Sequence, residues 1–162
     1  MNIREATDQD FEDIWPIFHE IVSAGETYAY DPQTTEEDAF AIWMTQPHKT
    51  FVIEEGDTVF GTYYLKRNQP GLGGHVCNCG YMVSSQARGK GLATSMCGHS
   101  QRVAVQLGYQ AMQFNLVVST NRGAIRLWER LGFEIVGRLP RAFMHKKDGL
   151  VDALVMYKWL AV

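Results

Sequence analysis

The sequence predicts a single domain of the α/β class, with seven strands and about four helices. The central evidence is an apolar strand over Val76–Val83, followed by a glycine-rich loop at residues 86–91 and a helix that begins at Leu92. A second unit of the same kind follows, with a strand over Ala111–Val118 and a helix capped by Asn121. The length of 162 residues suits one domain with one sizeable core.

The N-terminal segment predicts a short strand and a long amphipathic helix. The strand is expected over Ile3–Ala6, and Thr7 with Asp10 forms a plausible capping box at the start of the helix. Apolar residues at helical spacing form the buried stripe: Phe11, Ile14, Trp15, Phe18, Ile21 and Val22.

A second helix and a hairpin are predicted next. Thr34 or Thr35 caps a helix with an acidic first turn, and Gly56-Asp57 is a turn signal between two strands. These strands are expected over Thr50–Glu54 and Thr58–Lys66.

The C-terminal half predicts a third helix and a final pair of strands. The helix is expected over Leu92–Leu107, with a buried face of Leu92, Met96, Val103, Ala104 and Leu107. The last strands are expected over Phe133–Leu139 and Val151–Leu160. We expect a long basic loop containing His145, Lys146 and Lys147 between them.

Composition argues against nucleic-acid and membrane partners. The net charge is −3, whereas nucleic-acid binding favours a basic face. No apolar run approaches the ~20 residues that span a bilayer, and residues 1–5 lack the apolar core of a signal peptide. We therefore expect a cytoplasmic location.

The three cysteines predict neither a disulfide framework nor a metal site. Cys77 and Cys79 lie on one face of a strand, and Cys97 lies on the following helix. His75 is nearby, but a second ligand cluster is absent from the sequence pattern. Buried small apolar residues are the favoured interpretation, with no metal.

The loop Gln86-Ala87-Arg88-Gly89-Lys90-Gly91 predicts an anion site at a helix N-terminus. The glycines allow close approach of the backbone to a phosphate, and the two cations add positive charge. The loop lacks the Gly-Lys-Ser/Thr end of a nucleotide P-loop and the third glycine of a dinucleotide fingerprint. An ordinary strand-to-helix turn is the alternative.

Two segments resemble the signatures of the GNAT (GCN5-related) N-acetyltransferases. Gln86, Gly89 and Gly91 fit the acyl-CoA pyrophosphate pattern Q/R-x-x-G-x-G/A, and residues 121–133 are similar to N-x-x-A-i-x-L-Y-e-k-x-G-F. The resemblance covers nearly all of the chain. It implies a mixed seven-stranded sheet with two helices on each face, acetyl-CoA as co-substrate and a homodimer.

The resemblance also assigns a cofactor site. The pantetheine arm would meet the backbone of Tyr81, Met82 and Val83, and the pyrophosphate would lie on Arg88, Gly89, Lys90, Gly91, Leu92 and Ala93. Trp128 stands where many members carry a tyrosine that protonates the CoA thiolate, and an indole is no proton source near neutral pH. Asn121 is the preferred replacement, as a hydrogen-bond donor to the sulfur or pantetheine. A simple N-cap is its alternative role.

Asn78 and Asn115 lie inside neighbouring apolar strands, where asparagine is disfavoured and a buried amide needs partners. Their segments resemble the GNAT branch that includes the azetidine-2-carboxylate acetyltransferase. This implies that both amides bind the acceptor's carboxylate or amine, with Leu116 packing nearby. The alternative is that each amide satisfies a local backbone group.

The loop at residues 26–32 resembles the phosphinothricin acetyltransferases, in which the corresponding loop lines the acceptor pocket. Tyr28 would contact the acceptor, and Glu26 is a candidate base, directly or through water. His75, His145 and a relaying water are the other candidates for the base.

These features together predict an acetyl-CoA-dependent N-acetyltransferase for the amine of a small amino acid or analogue, including cyclic imino acids. One alternative is a protein or peptide N-acetyltransferase, which would need an open groove. The other is a non-catalytic acyl-CoA-binding sensor, supported by the tryptophan at position 128.

Overall fold

One mixed sheet forms the centre of the protein, as the computed structural model of residues 1–160 describes it. Its seven strands lie in the order β1-β2-β3-β4-β5-β7-β6, which confirms the predicted fold class. Only the central pair, β4 and β5, is parallel among the described strand pairs. The strands are β1 (Asn2–Glu5), β2 (Lys49–Glu55), β3 (Thr58–Arg67), β4 (Val76–Val83), β5 (Ala111–Val118), β6 (Glu134–His145) and β7 (Gly149–Trp159).

Helices cover both faces of this sheet. They are α1 (Phe11–Ala24), α2 (Glu36–Phe40), α3 (Leu92–Gln106) and α4 (Arg122–Arg130). The first two pack on one face, where a π-helical turn continues α2 and buries Trp43 against Phe18 and Tyr64. The other two pack on the opposite face, over Tyr63, Phe114 and their neighbours. Each face therefore has its own apolar core, and the sheet separates them.

Cys77, Cys79 and Cys97 are free thiols buried on the α3 side. This confirms their predicted role as small apolar residues. Among residues 1–160, no group of three or more His, Cys, Asp or Glu side chains is placed to hold a metal ion.

An ion-paired capping box fixes the start of the first helical segment. The predicted pair is present: Asp10 accepts from the Thr7 backbone N–H at 2.6 Å. Arg4 binds the same carboxylate through both terminal nitrogens, at 2.7 and 2.8 Å, and also pairs with Glu54 of β2. The Arg4 guanidinium holds the pKa of Asp10 at about 2, below its ordinary 3.8. This contact ties β1, β2 and α1 together.

The Asp10 carboxylate should make stability depend on pH in the acid range. Its pKa is depressed in the folded state, so its contribution is complete above the unfolded pKa near 3.9 and is lost as pH falls through about 2. We expect Asp10→Asn to cost about 2 kcal/mol at pH 7 and much less at pH 2.5. Urea unfolding at both pH values measures this, with the exposed Glu129→Gln as control. An equal loss at both pH values would contradict the assignment.

Most predicted boundaries agree with the structure, but those of the last two strands, β6 and β7, do not. The segment expected to be a long basic loop is mostly strand, because β6 continues to His145 and only residues 146–148 form the turn. The pairing of β6 with β7 is irregular between Leu139 and Phe143, where Arg141 adopts a φ of 52°. Asp152 stabilises this irregularity by accepting from the Arg141 N–H and from Arg138. A bulge therefore lets a proline- and arginine-rich stretch remain in the sheet.

Strands β1 and β6 form the two edges of the sheet. Exposed sheet edges are places where a second copy of the chain can pair. The homodimer stays a prediction. Within the described part of the chain, no helix is both long and apolar enough to cross a membrane.

Candidate functional site

The two central strands separate partway along their length. The parallel strands β4 and β5 pair only at Val76 with Ala111 and at Cys77 with Met112. Beyond that point β5 also loses register with β7, between Phe114 and Val117. A cavity of about 870 Å³ occupies the resulting gap and contacts both faces of the sheet. Such an opening leaves strand edges available to an extended ligand.

The glycine loop forms one end of this cavity. Gly89 and Gly91 have φ of 76° and 74°, and nothing lies within 4 Å of the position where either Cβ would stand. Within α3, the Ser95 N–H bonds the Gly91 carbonyl at 3.0 Å, so the N–H groups of the first turn before it are without helical partners. Arg88 lines the cavity beside Gly89. Open space, unpaired N–H groups and a cation together suit a phosphate.

The remaining residues predicted for this end are less directly placed. Ala93 lines the cavity, whereas Leu92 is buried in the core of the α3 face. The ammonium of Lys90 lies 5.6 Å from the centre of the Phe60 ring. Lys90 and Gly91 are exposed, outside the cavity lining.

Strand β4 supplies the floor of the gap. Tyr81 and Val83 line the cavity, whereas the Met82 side chain is buried on the other side, against α1. The carbonyl of Tyr81 accepts a hydrogen bond from the Tyr28 hydroxyl at 2.8 Å. The loop after α1 is thereby attached to the strand edge.

Helix α4 places Asn121 and Trp128 against the gap. The Asn121 Oδ1 accepts from the Ala124 N–H at 3.3 Å, which confirms the predicted cap. Its Nδ2 has no partner among residues 1–160 and can donate to a ligand. Trp128 is buried, with its ring 5.2 Å from that of Tyr81 and 5.1 Å from that of Phe114. It therefore forms an apolar wall.

An aromatic chamber forms the opposite end of the cavity. Tyr28 stacks on Tyr30 with ring centres 5.6 Å apart, and Tyr64 lies edge-on to Trp43 below them. Burial raises the pKa of Tyr28 and of Tyr64, so both hydroxyls stay protonated. Each donates its proton to a protein acceptor, Tyr28 to the Tyr81 carbonyl and Tyr64 to Asn78 Oδ1, and neither acts as a base.

Asn78 faces this chamber, but its amide is largely engaged. It is buried, its Oδ1 accepts from the Tyr64 hydroxyl at 2.9 Å, and its Nδ2 donates to the Gln113 carbonyl of β5 at 2.9 Å. The second bond bridges the strands just where their pairing ends. One N–H of the amide remains for a ligand.

Asn115 also lines the cavity, but the expectation that it is a buried amide is wrong. It is exposed in the irregular part of β5, where it donates to Asn68 Oδ1 at 2.7 Å and accepts from Gln113 Nε2 at 2.9 Å. Leu116 beside it lines the cavity as well. Asn115 lies where β5 loses register with β7, and this irregular pairing accounts for its exposure.

The candidate bases differ in their surroundings. Glu26 lines the cavity and pairs with Lys147 at 2.8 Å, and that hydrogen bond lowers the pKa of the carboxyl. A lowered pKa makes it a weaker base. His75 and His145 lie outside the cavity lining, and His145 Nδ1 accepts from the N–H groups of its own turn.

The cavity lining includes Tyr30, which belongs to the loop at residues 26–32 that was predicted to line the site. It also includes residues that the sequence analysis did not assign to the site, among them Tyr64 and Lys66. These two lie near the end of β3, where the residue pattern predicts only a strand. Nothing in that pattern shows that the strand borders a gap.

The cavity has the form of a site for an extended anionic ligand along a strand edge, with space for a second small molecule beyond it. The family model described as "Acetyltransferase (GNAT) family" matches residues 8–133. The chain therefore belongs to the GNAT family.

Individual relatives agree with this placement. N-acetyltransferase aca1 of Schizosaccharomyces pombe is 37% identical over 107 residues, which are 65% of this chain and 51% of that protein. The chain thus spans about half the length of this curated relative. A GCN5-related N-acetyltransferase from Kribbella flavida is 43% identical, with a TM-score of 0.92 over 98% of this chain and 96% of that chain.

A phosphinothricin acetyltransferase from Sinorhizobium meliloti, solved with acetyl-CoA, has a TM-score of 0.87. It is 21% identical, and the match covers 99% of this chain and 88% of that chain. At that identity the comparison establishes a shared fold.

Proposed function

We propose that the protein is an acetyl-CoA-dependent N-acetyltransferase acting on a small amino acid or amino-acid analogue. The observation that carries the proposal is the cavity that joins the glycine loop to the aromatic chamber through the gap in the sheet. One end suits a pyrophosphate and the other a small polar molecule, so the two ligands can meet between Tyr81 and Trp128.

The residues present fit acetyl-CoA. The loop offers unpaired N–H groups and Arg88 to phosphates, and the unpaired edge of β4 offers backbone groups to the amides of the pantetheine arm. Acetyl-CoA would supply an acetyl thioester, to whose carbonyl the acceptor nitrogen bonds as the C–S bond breaks. A β4 backbone N–H would hold the developing oxyanion, and Asn121 Nδ2 would donate to the departing sulfur.

The acceptor's ammonium proton must leave before its nitrogen can attack. Among the described residues that line the cavity there is no histidine, and the carboxylate of Glu26 is paired with Lys147. The buried tyrosine hydroxyls stay protonated. A water in the cavity is therefore the proposed proton acceptor, with Glu26 as its further acceptor.

The chamber favours a small acceptor over a peptide. Tyr28 and Tyr30 cover it from one side, and Lys146 N–H holds the start of their loop by donating to the Gly25 carbonyl at 3.0 Å. A peptide substrate would need an open, extended groove at the place that this loop covers. The azetidine-2-carboxylate branch is our finer proposal, supported by the positions of Asn78 and Asn115 in the cavity.

The test is thiol release from acetyl-CoA with a panel of amines. The panel contains azetidine-2-carboxylate, proline analogues, phosphinothricin, methionine sulfone and a lysine-containing peptide, with Asn115→Ala beside the wild type. We expect turnover on a small amino acid and none on the peptide. Turnover on the peptide alone would replace the proposal with protein acetylation. CoA binding without turnover on any amine would favour the sensor.

The glycine loop gives a separate prediction about CoA affinity. We expect Gly89→Ala to weaken CoA binding about tenfold, because the loop leaves the left-handed conformation that aims its N–H groups at the phosphates. Gly56→Ala is the matched control, since Gly56 has a φ of 61° and equally open surroundings but lies in the β2–β3 turn. Both variants should lose about 1–2 kcal/mol of stability. The measurement is calorimetric titration of each variant with CoA. Equal affinity of Gly89→Ala and Gly56→Ala for CoA would contradict the assignment of the loop.

A further inference from the structure

Lys66 is a cation in the cavity that has no ion-pair or hydrogen-bond partner among residues 1–160. It lies at the end of β3, is half-buried and lines the chamber, with its ammonium 5.0 Å from the centre of the Tyr64 ring. Among residues 1–160, no carboxylate lies within 4.0 Å of its Nζ, and it donates no hydrogen bond. By contrast, Lys49 and Lys147 are ion-paired. A half-buried ammonium with three free donors suits an anionic ligand.

The position of Lys66 excludes the phosphates as that anion. Its register partner on β4 is Asn78, near the start of that strand. The strand then runs five residues further to Val83 before the glycine loop begins, which is roughly 16 Å at the usual rise per residue. Arg88, beyond that point, is the cation at the phosphate end. The two cations that line the cavity therefore lie near its opposite ends.

Hydrogen-bond capacity singles out Lys66 among its neighbours. Asn78 and Asn115 each use their amide oxygen and one N–H on protein partners. Each can add one N–H to a ligand, whereas a carboxylate accepts about four hydrogen bonds. Lys66 contributes both the charge and three donors. The asparagines can supply the remainder.

We propose that Lys66 binds the carboxylate of the acceptor, so that the protein selects amines that carry a carboxylate close to the nitrogen. The inference rests on the proposed function and names the feature that the acceptor must have. Desolvation lowers the pKa of Lys66, and a bound carboxylate would offset that cost. The stacked rings of Tyr28 and Tyr30 would then pack on the apolar part of the acceptor.

The experiment compares each amino acid with its own carboxamide. Azetidine-2-carboxylate and methionine sulfone are assayed beside their primary amides, with acetyl-CoA saturating, for the wild type and for Lys66→Met, Lys66→Arg and Lys49→Met. We expect the wild type to prefer the carboxylate about tenfold to hundredfold in kcat/KM. Lys66→Met should abolish that preference with an unchanged KM for acetyl-CoA, and Lys66→Arg should retain part of it. Lys49→Met should match the wild type.

A binding measurement that needs no turnover separates this inference from the proposed function. With CoA saturating, the shift of the melting temperature by each carboxylate and each amide is recorded for the same variants. Stabilisation of the wild type by carboxylates, absent in Lys66→Met, would support the role of Lys66 even if no amine were acetylated. Turnover with the same carboxylate preference in Lys66→Met would overturn it and leave the acetyltransferase proposal standing. Failure of all four compounds to bind or react would overturn it as well.

Discussion

Gly80→Ala should lower kcat/KM about hundredfold, the largest effect on activity that we expect from a single methyl group. A Cβ at this position would lie 2.7 Å from Tyr64 Cε1 and 3.2 Å from the Tyr28 hydroxyl. Tyr64 cannot retreat, because it is buried against Trp43 with ring centres 4.8 Å apart. The displaced Tyr28 would lose its bond to the Tyr81 carbonyl, and the chamber would lose its shape.

The matched control is Gly137→Ala in β6, where the nearest atom to the new Cβ is 3.8 Å away. That variant should keep wild-type kinetics with the best acceptor of the panel. Gly80→Ala should also lose about 1–3 kcal/mol of stability from overpacking. Activity is therefore compared at a temperature where both variants are folded by circular dichroism. Equal kinetics for the two variants would show that the aromatic wall can move without consequence.

Trp43→Ala should cost about 3–5 kcal/mol of stability, the largest loss that we expect from one core residue. Trp43 is completely buried among Phe18, Tyr28 and Tyr64, and its indole N–H donates to Thr62 at 3.0 Å. Its removal leaves a cavity and takes away the hydrogen bond that the buried Thr62 hydroxyl accepts, although this hydroxyl still donates to the Phe51 carbonyl at 2.8 Å. Because the ring supports both tyrosines, the acceptor's KM should also rise.

The control for this variant is a tryptophan that lies on the sheet and is largely exposed. Trp159 is 54% exposed at the end of β7, so Trp159→Ala should cost less than about 1 kcal/mol. Urea unfolding of both variants measures the difference. A Trp43→Ala loss no larger than that of Trp159→Ala would mean that the α1 face repacks freely.

The sequence predicted the parts of the fold in which local signals and tertiary packing agree. The bounds of β4 and β5 agree with the prediction, because both are apolar runs between clear turn signals. Asn121 caps α4 and Thr35 caps α2, as their side chains favour. The glycine loop occupies the expected place for a related reason: only glycine adopts its backbone conformation cheaply.

The features that escaped prediction depend on contacts between distant segments. The irregularity between Leu139 and Phe143 keeps residues 140–145 in strand β6, and no local residue pattern predicts it. No local residue pattern marks the separation of β4 from β5, which only the family resemblance implied, and neither source assigned Tyr64 or Lys66 to the site. Asn115 was predicted buried because its strand is apolar, yet the irregular pairing of β5 exposes it.

The short pairing of β4 with β5 has a consequence for amide hydrogen exchange. Sheets ordinarily protect their central strands best, because those strands are bonded on both sides. Here the β5-facing amides between Asn78 and Val83 have no strand partner, although they lie in the middle of the sheet. They should exchange as fast as those of an edge strand and become slow once a ligand lies along them. The exchange rate of this one segment would then report site occupancy directly, whatever the acceptor is.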